Sequence, residues 1–388
     1  MVDLMYSNAH REDKEVEAIQ LIDLAETYAD KDKGDEAIKF YEQAAQIYID
    51  IGSYLKLDEV FIRIAQIISR FKNNIQAVYR LESIIRKTEE LNLYEISAKL
   101  LIRLGNLYNE MKDWESAGEN WEKAANHLSK ADPDEYRNPA SMLLLKAGQA
   151  YERTRIKKDM GKRLILKAVM KINKFDELYE KEEKKALLLL SSQDYEASAE
   201  KFLEIAEYFK KSIENLEELL DEAESKDTIL NAKARFIHFI AEYQTLAALC
   251  LIASKNEDHT EKIRNLGMDS IKLFKESITL LKDYLIPKRA DFDHEVIMRI
   301  TFDTMLLEII QKNIGIKEVA STEFLLNNLE SNKALIKKLK ETPYYKIIKK
   351  IEKVGVLDSL DDLLKVNLGH FDKIKNTLIS YFQGNFRI

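Results

Sequence analysis

Alanines 37, 77 and 117 stand 40 residues apart, and each is followed four positions on by a large residue, Tyr41, Leu81 or Trp121. Three positions later come Ala44, Ile84 and Ala124. Upstream the echo continues at fixed offsets: Leu21, Leu24, Ala25 and Tyr28, then Phe61, Ile64, Ala65 and Ile68, then Leu101, Leu104, Gly105 and Tyr108. A fixed period of this length restricts the chain to stacked supersecondary units, each covering its apolar face with its neighbours. Residues three and four apart share one helical face, so each unit reads as a pair of helices. The small residue at 25, 65 or 105 lets the first helix approach the second at 37, 77 or 117, and the large residue that follows fills the groove toward the next pair. A fourth copy reads as Leu144, Ala147, Gly148, Tyr151, Met160 and Leu164, and a degenerate fifth as Ala186, Leu189, Ser198, Phe202 and Ile205.

Length alone, 388 residues, would suggest two or three domains. A repeat array escapes that rule because its core grows in one dimension. Few breakers, 11 Gly and 4 Pro, favour helices with short joints, and 33% charged with 46% hydrophobic residues suits amphipathic helices. A net charge of −7 carries no nucleic-acid footprint. The single cysteine, Cys250, lies in the apolar run Leu246–Ala253 and reads as a small core residue. Residues 1–11 lack the apolar stretch of a signal peptide. The longest uncharged run, Tyr243–Ser254, falls short of the ~18 residues a membrane span needs. The expected location is cytoplasmic, with any membrane contact peripheral.

Along the chain, residues 1–14 read as a flexible N-terminus, 15–286 as the helical solenoid and 287–388, beyond Pro287, as a C-terminal helical bundle. Asp132-Pro133 through Asn138-Pro139 interrupts the pattern between the third and fourth units, because a proline disfavours helix in the residue before it.

The alternation of small and large residues resembles the tetratricopeptide repeat, with Leu101, Leu104, Gly105, Tyr108, Ala117, Trp121 and Ala124 as its best match. That resemblance implies an all-α, right-handed superhelix of antiparallel helix pairs. The usual tetratricopeptide period is about 34 residues. Here the additional six fall between the second helix of one unit and the first of the next, so longer helices or longer connections are expected. The stretched version resembles the SNAP family, soluble attachment proteins that recruit an NSF-type AAA+ ATPase to bundles of SNARE helices. The resemblance spans roughly residues 15–285 and implies a non-catalytic adaptor or scaffold in vesicle trafficking. A generic complex-assembly scaffold and a peptide-sensing regulator are the alternatives. The chain departs from the family in two places. The joint 29–36 is rich in Asp and Lys where the family carries an apolar membrane loop, and the chain ends in apolar and basic residues where the family is acidic.

Nothing in the sequence marks a catalytic centre, a cofactor or a metal. The six histidines are scattered, and neither a phosphate loop nor a dinucleotide turn is present. In tetratricopeptide-like pairs the first helix lines the concave side. On that face the count places an amide row, Gln66, Asn106, Asn109 and Gln149, suited to hydrogen-bonding a partner backbone. Beside it runs a basic row, Arg63, Arg70, Arg103, Lys146 and Arg153, which the SNAP resemblance assigns to gripping an acidic coiled-coil SNARE-like bundle. A third candidate is the lysine-rich segment 333–353, with Lys337, Lys338, Lys346, Lys349 and Lys350 interleaved with apolar residues and divided at Pro343. It is a contact for an anionic membrane or an acidic partner.

Overall fold

The computed structural model describes residues 2–71, 74–219, 222–285, 294–315, 320–327, 332–369 and 372. In chain order the helices are α1 (Val2–Asp30), α2 (Gly34–Asp50), α3 (Tyr54–Phe71), α4 (Asn74–Glu90), α5 (Tyr94–Glu110), α6 (Trp114–Ala131), α7 (Arg137–Glu152), α8 (Lys158–Lys171), α9 (Phe175–Ser191) and α10 (Tyr195–Leu219). They continue as α11 (Glu222–Ser254), α12 (Thr260–Leu285), α13 (His294–Asn313), α14 (Ser321–Asn327), α15 (Lys333–Glu341), α16 (Pro343–Val354) and α17 (Leu360–Leu363). The fold is an all-α array of helix pairs.

The 40-residue period is one helix and one tight joint, used twice. Helices α2, α4 and α5 each have 17 residues, or about 25 Å at 1.5 Å per residue. The six residues beyond the usual repeat therefore went into helix length. The connections stayed short, because each described joint up to Asp113 closes the same way. A residue at positive φ, namely Asp32, Gly52, Asn92 or Lys112, turns the chain back. The next N–H then reaches the carbonyl five residues earlier: Lys33 to Tyr28, Ser53 to Tyr48, Leu93 to Thr88 and Asp113 to Tyr108, at 2.8–2.9 Å. This is the Schellman cap, which satisfies carbonyls a helix end leaves orphaned. Gln193 and Asp194 repeat it between α9 and α10. The longer connection before α7 is held by Asp132, whose Oδ1 accepts from the N–H groups of Asp134 and Glu135 at 2.9 Å each.

Two compact units emerge, residues 1–168 and 169–388. In the first, sequential helices pack through the small positions read from the repeat. Ala25, Ala37, Ala44, Ala65, Ala77, Ala117 and Ala124 are all buried, as are Tyr41, Leu81 and Trp121. A Cβ on Gly105 would stand 2.7 Å from the Trp121 ring, so the glycine is the space the indole occupies. Leu24 departs from its counterparts: Ile64 and Leu104 are buried, whereas Leu24 is exposed. The fourth pair also differs from the expected register. Met160 is exposed, and the small residue of α8 is Gly161, buried at a close crossing with Gly148 of α7. Gly161 is thus a packing position. The stretch 1–14, read as frayed, is helical from Val2.

In the second unit Ser198 Oγ of α10 donates to the carbonyl of Ala186 in α9 at 2.9 Å, which fits the degenerate fifth copy. Cys250 is fully buried, with its thiol 3.8 Å from Ser198 Oγ, and burial pushes its pKa up to about 12. Lys226–Ser254 is long and apolar enough to cross a membrane by length and composition, but 89% of its apolar window is buried inside the protein. One apolar cluster joins Ala234 of α11, Ile278 and Leu281 of α12, Val296 and Ile300 of α13, and Leu335, Leu339 and Tyr345 of α15 and α16. The boundary read at Pro287 lies outside the described residues, and helices on both sides of it share this core.

Candidate functional site

A groove of about 690 Å³ opens between α1 and α3, the first helices of the first two pairs. Ile19 and Ile22 of α1 and Val60 and Ile62 of α3 supply its apolar walls, and Tyr41 and Tyr48 of α2 form the floor. Glu26, Lys56, Glu59, Arg63 and Gln66 make a polar rim. Ile19 remains 45% exposed, so the groove presents apolar surface to solvent.

The rim is wired rather than loose. Tyr41 donates its hydroxyl to Glu26 Oε1 at 2.5 Å, and Arg63 Nε reaches the same oxygen at 3.1 Å. The Arg63 guanidinium also donates to Gln66 Oε1 at 3.0 Å. The chain Tyr41–Glu26–Arg63–Gln66 thus ties three helices together. Burial, and then the adjoining Glu26 carboxylate, raise the Tyr41 pKa, so the phenol stays protonated as a donor. Lys56 lies 5.8 Å from the Tyr48 ring centroid and 3.4 Å from Glu15.

Eighty residues on, the same device recurs with other chemistry, as Trp121 Nε1 donates to Asn106 Oδ1 at 3.2 Å. Lys146 sits 5.8 Å above that indole, which brings Asn106 and Lys146 onto one aromatic surface. Tyrosines reach carboxylates on the preceding helices in the same manner, Tyr108 to Glu82 at 3.2 Å and Tyr151 to Glu122 at 3.1 Å.

The predicted rows therefore divide. Arg63 and Gln66 are in the groove. Arg103, Asn109 and Gln149 are partly exposed on α5 and α7. Arg70 pairs with Asp32 of the first joint at 3.0 Å, with both side chains mostly in water, a pairing worth ~0–1 kcal/mol. Arg153 caps the end of α7 and stacks on Trp114 at 4.6 Å. In the C-terminal segment Thr342 caps α16 with Pro343 at its first position, so the proline divides two helices as read. The apolar side chains Leu335, Leu339, Tyr344, Tyr345, Ile347, Ile348 and Ile351 face inward and are buried. Only the lysine face is presented: Lys337, Lys338 and Lys346 are exposed, Lys349 lies 3.2 Å from Glu352, and Lys350 lies 2.7 Å from Asp362. The Lys350 hydrogen bond holds the Asp362 carboxyl below its usual range. An amphipathic helix lying on a bilayer needs its apolar face free, and here that face is spent on the core.

Sequence reading missed the groove floor and the α1 wall. Glu26 stands at the same register as Gln66 and Asn106, and that spacing was the available signal. Among the described residues no three His, Cys, Asp or Glu side chains converge on a metal-sized site.

Residues 8–103 match the family model of the soluble NSF attachment protein, SNAP. Over that stretch the chain is a SNAP-like helical solenoid, and the matched residues contain the whole groove. No curated protein matches the chain. Among solved structures, one described as a circular tandem repeat protein with novel repeat topology and enhanced subunit contact surfaces aligns at 11% identity. It covers 95% of this chain and 88% of that one, with a TM-score of 0.27. The SNAP match supports an adaptor role at the level of the family.

Proposed function

We propose that the protein is a non-catalytic, SNAP-like adaptor that holds a helical protein bundle against the first helices of its pairs. The observation that carries this reading is the α1–α3 groove, an open apolar trough with a mixed rim of Glu26, Lys56, Glu59, Arg63 and Gln66, lying inside the family-matched segment. A helix is about 10 Å across, and apolar walls with polar rims are how a groove accepts one amphipathic helix of a bundle. Arg103, Asn106 and Lys146 extend the surface along α5 and α7. Recruitment of an AAA+ ATPase and action at membranes follow from the family resemblance and belong to the same proposal.

Charge reversal of Arg63→Glu together with Arg103→Glu tests it. The pair should weaken binding of an acidic coiled-coil bundle about tenfold or more at low salt, while raising salt should weaken the unaltered protein toward the same value. Calorimetry at two ionic strengths measures both. Binding indifferent to salt and to the substitutions sinks the proposal and favours a generic assembly scaffold.

A further inference from the structure

The joint between α7 and α8 carries the most exposed large apolar side chain among the described residues, Ile156, at 86%. It sits in the run Arg153-Thr154-Arg155-Ile156-Lys157-Lys158, and residues 153–163 hold six basic residues against Asp159 alone. The loop is pinned on both sides of the tip. Thr154 Oγ1 donates to the Tyr151 carbonyl at 2.8 Å and accepts from the Lys157 N–H at 3.0 Å, while Gly161 N–H reaches the Lys157 carbonyl at 2.9 Å. Lys157 turns inward, bonded to Glu119 and lying 3.1 Å from Glu115. Arg155 and Ile156 are left projecting into water.

Neighbouring groups extend the same edge. Arg153 stacks on Trp114, the first residue of α6, at 4.6 Å, and Met111 in the joint before α6 is exposed. Met160 is exposed one turn into α8, and Arg163 is exposed beyond it. The joint thus exposes Ile156 and Arg155 at its tip, Arg153 before them, and Met160 and Arg163 in the first turns of α8.

We infer that this tip is an anionic-membrane contact, with Ile156 entering the acyl boundary and the three arginines pairing with lipid headgroup phosphates. A stable protein partner needs about 800 Å² of matched surface on each side, and a single pinned loop tip offers far less. A bilayer asks for less: a few apolar side chains to insert, and basic residues that gain from the negative surface potential. The inference is independent of the α1–α3 groove and of its partner.

Flotation of the full chain with phosphatidylcholine vesicles, with and without an equal share of phosphatidylserine, tests it. The expected result is binding only to the anionic vesicles, reduced about tenfold in Ile156→Asp and similarly in Arg155→Glu. Both side chains lie in solvent, so thermal unfolding of either variant should match the unaltered protein. Lys346→Glu with Lys349→Glu, on the α16 face, should leave flotation within about twofold. No preference for anionic vesicles overturns the inference. So does undiminished flotation of Ile156→Asp, and so does loss of flotation in the α16 variant alone.

Discussion

Replacing Asp303 with alanine should destabilise the second unit by about 3–5 kcal/mol, the usual consequence of removing one partner from a buried charged group. Asp303 of α13 is fully buried. It lies 2.6 Å from Nδ1 of His238 on α11 and accepts a 2.6 Å hydrogen bond from Ser277 Oγ on α12. Glu242, also buried, approaches the other imidazole nitrogen at 3.3 Å. Three core helices are therefore joined through one histidine between two carboxylates. Burial alone would lower its pKa, but Asp303 and then Glu242 outweigh burial and raise it to about 9. The unfolded chain releases that proton near pH 6.5, so folding takes up a proton between those values. The contribution is complete below pH 6.5 and is lost as the pH rises through about 9, on the order of 3 kcal/mol in all. Chemical denaturation across pH 6–10 should show that decline, and His238→Gln should flatten it. A loss under about 1 kcal/mol in Asp303→Ala, the ordinary scale of a single neutral hydrogen bond, would contradict the network.

Gly161→Ala gives the second large effect, and its sign is decisive. In an unobstructed helix the change would stabilise by about 1 kcal/mol through propensity alone. Here the new Cβ would fall 2.5 Å from the Gly148 carbonyl oxygen and 2.8 Å from the Glu152 nitrogen. Both are backbone, so neither can swing aside, and α7 and α8 must separate. Overpacking of this kind costs about 3 kcal/mol, which exceeds the propensity gain. A fall in the unfolding midpoint of the first unit is expected, and a rise would show that the crossing is looser than described.

Most of the array was legible because its packing positions are periodic in sequence. Ala25, Ala37, Ala65, Ala77 and Ala117 announce close helix approach at one spacing, and their burial follows from it. The joints were harder to read. Of the four described joints up to Asp113, one is marked by a glycine, Gly52, while Asp32, Asn92 and Lys112 adopt the same left-handed conformation without one. Gly161 and Gly148 stand 13 residues apart, off the repeat, and nothing local pairs them. His238 and Asp303 are 65 residues apart and meet only once three helices have packed. At the site, Arg63 and Gln66 were found because they recur at the repeat spacing. Tyr41 was read only as filling the groove toward the next pair and Tyr48 lay outside the repeat positions, since sequence does not show that the α1–α3 trough stays open above them.

The most direct measurement of the adaptor reading is site-specific photocross-linking of the full chain in native extract, with a photoreactive residue at Gln66 or, separately, at exposed Tyr79 on α4. Covalent adducts from position 66 to a heptad-patterned helical protein, with none from position 79, are the predicted result. Adducts from position 79 and none from position 66 would contradict it.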